Sequence, residues 1–185
     1  MPDVFLYDAV RTPRGKARLD GGLADLSPQE LVRTQIEALK DRKGSAIERA
    51  EALLLGCVTQ SGAQGANIAL ISKLHSGLDD SVAAHTINNY CASGLSAIGQ
   101  AIAMVGSGQA NAVLAGGVEM MSQTPFMSDK ASYYSDESLP PRARYIPPVL
   151  AADRLANAEG LGRLALDAVA LVSQQRATAA EHDPQ

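Results

Sequence analysis

The chain has 185 residues, which is enough for one domain, or for one domain and part of a second. It is 46% hydrophobic and 19% charged, and no run approaches the roughly 18 apolar residues of a membrane span. The net charge of −4, without a basic patch interleaved with aromatic residues, argues against nucleic-acid binding. We therefore expect a soluble globular protein with neither nucleic acid nor membrane as a partner.

The two cysteines, Cys57 and Cys91, lie far apart and form no Cys-x-x-Cys pair. Their spacing gives no reason to expect a disulfide framework or a metal site. The first residues carry no basic stretch followed by an apolar one, so we predict no signal peptide. A cytoplasmic, thiol-reducing location is the resulting expectation.

The first elements are a strand and a helix. The apolar run at residues 4–7 is rich in strand formers, and a polar turn region follows at residues 11–16. Ser27 is a suitable N-cap, Pro28 suits the first helical position and Glu30 completes a capping box. Apolar residues then follow at helical spacing, namely Val32, Ile36 and Leu39.

Strands and helices alternate through the middle of the chain. Apolar runs predict strands at residues 53–58, 81–88 and 112–115. Helices are predicted at residues 67–74 and 91–107. The second of these helices carries apolar residues on one face: Leu95, Ile98, Ile102 and Val105.

This alternation predicts an α/β layered fold, with a mixed but mostly parallel sheet covered by helices. In such sheets, ligands bind at the carboxyl ends of the strands.

The character of the sequence changes at about residue 119. Five of the nine prolines fall between Pro125 and Pro148, which predicts a long irregular excursion of functional or interfacial character. A helix is predicted to return at residues 161–180. We therefore divide the chain into a core at residues 1–118 and a second segment at residues 119–185.

Cys91 stands where a predicted strand turns into a predicted helix. Unpaired N–H groups and partial positive charge at a helix N-terminus favour a thiolate, and they also suit the oxyanion of a tetrahedral intermediate. The small neighbours Ala92, Ser93 and Gly94 leave room above the sulfur. From residue chemistry alone, a nucleophile and a plain core cysteine both remain open.

Five segments, in order, resemble those of the thiolase family. Asn88-Asn-Tyr-Cys-Ala-Ser-Gly-Leu95 is similar to the pattern Asn-x-x-Cys-Gly-Ser-Gly, and Gly116-Gly-Val-Glu-Met-Met-Ser122 is similar to Gly-Gly-Met-Glu-Ser-Met-Ser. Asp8-Ala-Val-Arg-Thr-Pro-Arg-Gly-Lys16 resembles the thiolase opening. Gly56-Cys-Val-Thr-Gln60 and Ser173-Gln-Gln-Arg176 fall at matching places.

Two departures from the family pattern stand out. Ala92 replaces the usual first glycine after the cysteine. Residues 154–159 (Arg-Leu-Ala-Asn-Ala-Glu) replace the Met-Gly-x-Thr-Ala-Glu segment that lines the substrate pocket in many thiolases. The acyl-chain preference of the family therefore does not carry over.

The resemblance implies the N-terminal half of a thiolase fold, with residues 119–185 forming part of the loop domain that covers coenzyme A. It implies that Cys91 takes the acyl group of an acyl-CoA, with its backbone N–H as one oxyanion donor. The acyl group then passes to the α-carbon of a second acyl-CoA, and the reverse reaction cleaves a 3-ketoacyl-CoA. Coenzyme A thioesters are the substrates, no cofactor is implied, and the expected setting is fatty acid metabolism.

The same resemblance implies a homodimer or tetramer, in which residues 83–88 pair with their twin across a two-fold axis. Thiolases take an activating histidine from a Gly-His-Pro motif and a second cysteine from a Cys-x-Gly-Gly-Gly motif. Both motifs are missing from these 185 residues. We therefore expect the chain to be inactive alone, with a second chain as one possible source of the missing half.

Two other functions remain as alternatives. One is a catalytically silent, thiolase-like subunit used for assembly. The other is a decarboxylating ketoacyl synthase, although the Gly-Gly-Val-Glu-Met-Met-Ser segment argues against it.

The three histidines are poor candidates for a base. His85 lies six residues before Cys91 on a predicted strand and is interpreted as a hydrogen-bonded structural residue. His75, at a helix end, and His182, in the polar tail, are expected at the surface.

Other residues keep simpler interpretations. Cys57 is expected in the core, and Arg11 and Lys16 in a solvated loop rather than at a phosphate or a partner subunit. Glu119 either orients the loop beneath the site or caps a turn. Gly116-Gly117 permits a tight turn or a close backbone approach, and no phosphate-loop spacing surrounds it.

Overall fold

The computed structural model describes residues 3–182, so Met1, Pro2 and the last three residues of the second predicted segment lie outside it. The chain divides into two compact units, one ending at Lys130 and the other beginning at Ala131. We describe each unit by itself. The predicted division of the core from a loop domain after residue 118 stays a prediction.

The first unit is built on a three-stranded parallel sheet. Strand β1 (Ala52–Gly56) lies in the centre, between β2 (Ala83–Ile87) and β3 (Val113–Gly117). All five residues of β1 are buried, as expected for an apolar strand that helices cover on both faces. The predicted α/β fold with a parallel sheet is confirmed.

Two helices cover one face of the sheet. They are α1 (Pro28–Lys43) and α3 (Ile68–His75). A single-turn helix, α2 (Ser45–Glu48), follows α1. The predicted start of α1 is confirmed, because the hydroxyl of Ser27 accepts the Glu30 N–H at 3.3 Å. The carboxylate of Glu30 pairs with Arg33 and His75 instead of closing the capping box. The core on this face contains Leu31, Val32, Ile36, Leu53, Leu55, Ile68 and Val82, among others.

Helix α4 (Ser93–Gly106) covers the opposite face. Ala97 and Ala101 are its buried contacts, and both belong to the cluster around Leu54. The predicted apolar stripe is largely exposed, with Leu95 at 73%, Ile98 at 42% and Ile102 at 51%. Helix α4 therefore packs through its alanine face, which allows a closer approach to the sheet than the apolar stripe would.

The N-terminal segment does not form the predicted strand. Phe5, Leu6 and Tyr7 are exposed by 80%, 85% and 67%, and they are assigned to no strand. Instead, Asp8 forms an ion pair with Arg42 of α1, with 2.9 Å between an Asp8 carboxylate oxygen and a guanidinium nitrogen, and this pair holds the segment beside α1. Strand-forming residues need a partner edge, and the described residues pair this segment with neither β2 nor β3.

The second unit begins with an irregular segment, as predicted, containing two short 3₁₀ helices (Ser132–Tyr134 and Pro141–Ala143). Helix α6 (Arg163–Glu181) confirms the predicted final helix. Helix α5 (Pro148–Ala158) was not predicted, because its prolines suggested irregular structure although proline suits a first helical turn. Among residues 3–182, no helix is both long and apolar enough to cross a membrane.

Candidate active site

The three strand ends meet at one edge of the sheet, because all three strands run parallel. The segments that leave these ends are residues 57–59, 88–92 and 118–120. They surround a pocket of about 360 Å³, which we call the Cys91 pocket. Its lining residues are Gly56, Cys57, Val58, Thr59, Tyr90, Cys91, Ser93, Gly94, Gly117, Val118, Glu119, Met121 and Phe126.

Cys91 lies exposed on the turn between β2 and α4. The preceding residue, Tyr90, has a φ of 48°, in the left-handed region that side chains other than glycine rarely adopt. The hydroxyl of Ser93 holds this turn together, accepting the Asn89 N–H at 2.9 Å and donating to the Tyr90 carbonyl at 2.5 Å. A sharp, internally bonded turn therefore presents the thiol to the pocket.

Helix α4 begins two residues later than predicted, so Cys91 precedes the helix rather than opening it. The Ala92 N–H donates to the Asn89 carbonyl at 3.1 Å, and the Ser93 N–H donates to the Tyr90 carbonyl at 2.9 Å. These two donors are therefore already used within the turn. Ala92 has a φ of −93°, so this position does not demand the glycine found in the family pattern.

Gly56 allows the start of α4 to approach the end of β1. A Cβ atom at this position would lie 2.4 Å from the carbonyl carbon of Ser93 and 2.5 Å from the nitrogen of Gly94. Gly117, at the end of β3, is similarly confined, with the Gly56 carbonyl oxygen 3.1 Å from its own hypothetical Cβ. The predicted close backbone approach is confirmed for Gly117, whereas Gly116 has open space.

Glu119 orients the loop after β1. One carboxylate oxygen accepts the Val58 N–H at 2.7 Å. The other accepts the Thr59 N–H at 3.2 Å and the side-chain amide of Gln64 at 3.0 Å. Of the two roles predicted for Glu119, orienting the loop is therefore the observed one.

Cys57 is a core residue, as predicted. It is 1% exposed and packs with Leu53 and Leu55 on the face that α1 and α3 cover. Burial, reinforced by the negative charge of Glu119, raises the pKa of the Cys57 thiol to about 12. This thiol is therefore neutral at physiological pH and poorly suited to nucleophilic attack.

No histidine is among the residues that line the Cys91 pocket. His75 ends α3, and its Nε2 lies 2.7 Å from a Glu30 oxygen, while His182 follows α6 and is exposed. His85 is exposed on the edge strand β2, and its interpretation as a hydrogen-bonded structural residue stays a prediction. Within residues 3–182, no cluster of three or more His, Cys, Asp or Glu residues could hold a metal.

Arg11 and Lys16 are exposed in an irregular loop, as expected. Other residues around the pocket were not predicted. Gln64 is fully buried and joins the segments after β1 and β3, but an isolated glutamine beside glycines carries no recognisable signal. Met121 and Phe126 supply apolar walls. Met121 lies in the segment at residues 116–122 that resembles the family, and Phe126 lies in the stretch predicted to be irregular.

Comparison with known proteins agrees with this arrangement. The family model described as "Thiolase, N-terminal domain" matches residues 4–185. A β-ketoadipyl-CoA thiolase of Pseudomonas putida is 36% identical over 198 residues, which cover 98% of this chain and 49% of that protein. A probable acetyl-CoA acetyltransferase of Escherichia coli K12 is 36% identical over 192 residues, which cover 97% of this chain and 48% of that protein.

Among solved structures, the Bacillus anthracis acetyl-CoA acetyltransferase matches with a TM-score of 0.52 and 33% identity, over 57% of this chain and 26% of that one. The chain spans about half the length of the curated relatives it matches. The match to the family model covers nearly all of the sequence, and three of the five segments that resemble the family (residues 56–60, 88–95 and 116–122) contribute lining residues to one pocket. This chain belongs to the thiolase family.

Proposed function

We propose that this chain supplies the nucleophilic part of an acyl-CoA C-acyltransferase site, with Cys91 as the acyl acceptor. The observation that carries the proposal is the exposure of Cys91 at a pocket where three strand ends meet. The neutral, buried Cys57 leaves Cys91 as the accessible thiol of the chain.

In the proposed reaction, the Cys91 thiolate attacks the thioester carbonyl of an acyl-CoA. The resulting oxyanion collapses, a new thioester forms on Cys91, and the coenzyme A thiolate leaves. The deprotonated α-carbon of a second acyl-CoA then attacks the acyl group, giving a 3-ketoacyl-CoA and restoring the Cys91 thiolate. In the reverse direction, coenzyme A cleaves the 3-ketoacyl-CoA.

The Cys91 N–H is the proposed oxyanion donor from this turn. The neighbouring N–H groups of Ala92 and Ser93 already donate to carbonyls of the turn, which supports giving the role to Cys91 itself. The base that activates the thiol and the second cysteine are proposed to come from outside these 185 residues, from the same or a second chain. The proposal covers acyl-CoA thioesters as a class, since the relatives are named for both β-ketoadipyl-CoA and acetyl-CoA.

An assembly of two or more copies forms part of the proposal. Strand β2 is an edge of the sheet. None of its five residues is fully buried, since three are partly buried and two are exposed. An exposed edge presents unpaired N–H and C=O groups, so pairing with the β2 strand of a second copy would satisfy them.

The test is incubation of the protein with acetyl-CoA in the presence of the second half of a thiolase, followed by peptide mass spectrometry. We expect one acetyl group on the peptide containing Cys91, and none in a Cys91→Ala variant. Cys57→Ala is the matched control and should keep the label. Acetylation of the Cys91→Ala variant to the wild-type level, or an unlabelled Cys91 when the second half of a thiolase is present, would refute the proposal.

A further inference from the structure

Gln64 is the most deeply buried polar side chain beside the Cys91 pocket. It lies at the end of a short 3₁₀ helix (Gly62–Gln64) and has no exposed surface. Burial of an amide is costly unless its hydrogen bonds are made. Gln64 makes them with the two loops on either side of it.

The amide nitrogen of Gln64 donates to the Thr59 carbonyl at 3.0 Å and to a Glu119 oxygen at 3.0 Å. Its amide oxygen accepts the Met120 N–H. One side chain therefore bonds the segment after β1 and, twice, the segment after β3. A methionine or leucine of similar size would fill the space but leave these partners unpaired.

From Glu119 the hydrogen bonds continue to the Cys91 turn. Glu119 accepts the Val58 N–H at 2.7 Å, and the Val58 carbonyl accepts the side-chain amide of Asn88 at 3.0 Å. The Asn88 side-chain oxygen in turn accepts the Tyr90 N–H at 3.0 Å. We call this set, from Gln64 through Glu119, Val58 and Asn88 to Tyr90, the Glu119 network.

We propose that Gln64 is a positioning residue, which through the Glu119 network fixes the turn that presents Cys91 to the pocket. The inference rests on the role proposed for Cys91. The left-handed backbone of Tyr90 is a strained conformation, which persists only where surrounding contacts hold it. The Asn88 bond to the Tyr90 N–H is one such contact, and Gln64 is the buried anchor of the network behind it.

Replacing Gln64 by glutamate gives a distinctive test. In Gln64→Glu, a carboxyl group would face the Glu119 carboxylate at the distance of a hydrogen bond, and two such groups cannot both ionise without repulsion. At low pH the new carboxyl is protonated and still donates to Glu119. As pH rises it loses that proton, and the two loops are driven apart.

The measurement is the second-order rate of Cys91 alkylation by iodoacetamide as a function of pH, read by peptide mass spectrometry. The titratable side chains that line the pocket are Cys57, Tyr90, Cys91 and Glu119, so the wild-type profile is the necessary reference. For Gln64→Glu we expect an added titration, with the rate falling about three- to tenfold below wild type on its alkaline side, the effect of losing one or two hydrogen bonds.

Gln100→Glu is the matched control, because it makes the same charge change at an exposed position of α4. It should keep the wild-type profile. The double variant with Glu119→Gln removes the second carboxylate and should abolish the added titration. A purely structural role for Gln64 would lower the unfolding temperature at every pH without adding a titration to the reactivity of Cys91.

Gln64→Met is the second variant, used if Gln64→Glu does not fold. It should slow alkylation by a similar factor at all pH values while circular dichroism stays like that of the wild type. Wild-type rates and pH profiles in folded variants would overturn the inference. Because alkylation needs no acyl-CoA, this outcome is distinct from a failure of acetyl-CoA to label Cys91, which would refute only the proposed function.

Discussion

The two cysteines differ in exposure because Cys57 continues a strand into the core, whereas Cys91 lies on a turn. Consecutive side chains of a strand point to opposite faces of the sheet. Cys57 continues the alternation of Leu53 and Leu55 into the core under α1 and α3, whereas Gly56 faces the start of α4. Cys91 lies beyond the end of β2, on the turn that enters α4. One thiol is therefore neutral and enclosed, and the other is open to reagents.

The buried thiol predicts a pH dependence of stability. Because the folded protein raises the pKa of Cys57 to about 12, the unfolded chain loses this proton first as pH rises above about 9. The contribution of the protonated Cys57 thiol to the free energy of unfolding is fully present below about pH 9 and is lost as pH approaches 12. Urea denaturation at about pH 8 and pH 11 should therefore show a larger loss of unfolding free energy for wild type than for Cys57→Ala.

Other groups also titrate in this range, and the comparison with Cys57→Ala cancels them. Equal losses in the two proteins would show that the Cys57 thiol ionises as easily in the folded as in the unfolded state.

Among the elements, the packing of α4 on the sheet depends on Gly56, which has no side chain to separate them. Gly56→Ala would place a Cβ atom within 2.5 Å of the backbone of Ser93 and Gly94, and backbone cannot rotate away as a flexible side chain can. We expect a loss of about 1–3 kcal/mol in unfolding free energy, as for other overpacked sites. Urea denaturation measures it.

Gly116→Ala is the matched control for this prediction. Gly116 lies on the neighbouring strand with open space at its Cβ position, so its substitution should change stability by less than about 1 kcal/mol. The variant at position 56 should also slow alkylation of Cys91, because α4 continues directly from the Cys91 turn. Equal effects of the two substitutions would contradict the close approach.

The sequence predicted most elements, because apolar strands and capped helices carry local signals. Ser27 and Pro28 marked the start of α1, and the apolar run at residues 53–58 marked β1. The face through which α4 packs was not predicted, because the apolar stripe at Leu95 and Ile98 is exposed and the small Ala97 makes the buried contact. Local patterns do not record how closely two elements approach.

The candidate site was predictable where a motif carries it. Cys91 and Glu119 belong to segments that resemble a family, so both were singled out from the sequence. Gln64 was not, because its importance arises from partners 5, 55 and 56 positions away that only the fold brings together. The strand predicted at residues 4–7 failed for the same reason, since strand propensity does not supply a partner strand.

At the scale of the whole molecule, the two units differ in how much they bury. Both core clusters of the first unit lie between Leu31 and Met120, whereas Ala156 is the one buried apolar side chain among the described residues of the second. A fragment ending at Lys130 should therefore unfold cooperatively on heating, and one beginning at Ala131 should not. Circular dichroism melting of the two fragments tests this expectation.

A fragment ending at Lys130 that melts without a transition would contradict this expectation. So would a cooperative transition in the fragment that begins at Ala131.

The central position of β1 also constrains how the chain reaches its native state. Ala52 pairs with Ala83 on one side and with Val113 on the other, so both neighbours of β1 are synthesised well after it. A nascent chain that has reached β1 therefore carries an apolar strand with two open edges until β2 is synthesised, and with one open edge until residue 117 is synthesised. Parallel pairing over such sequence separations is slow, so this strand is exposed to aggregation while the chain is being made.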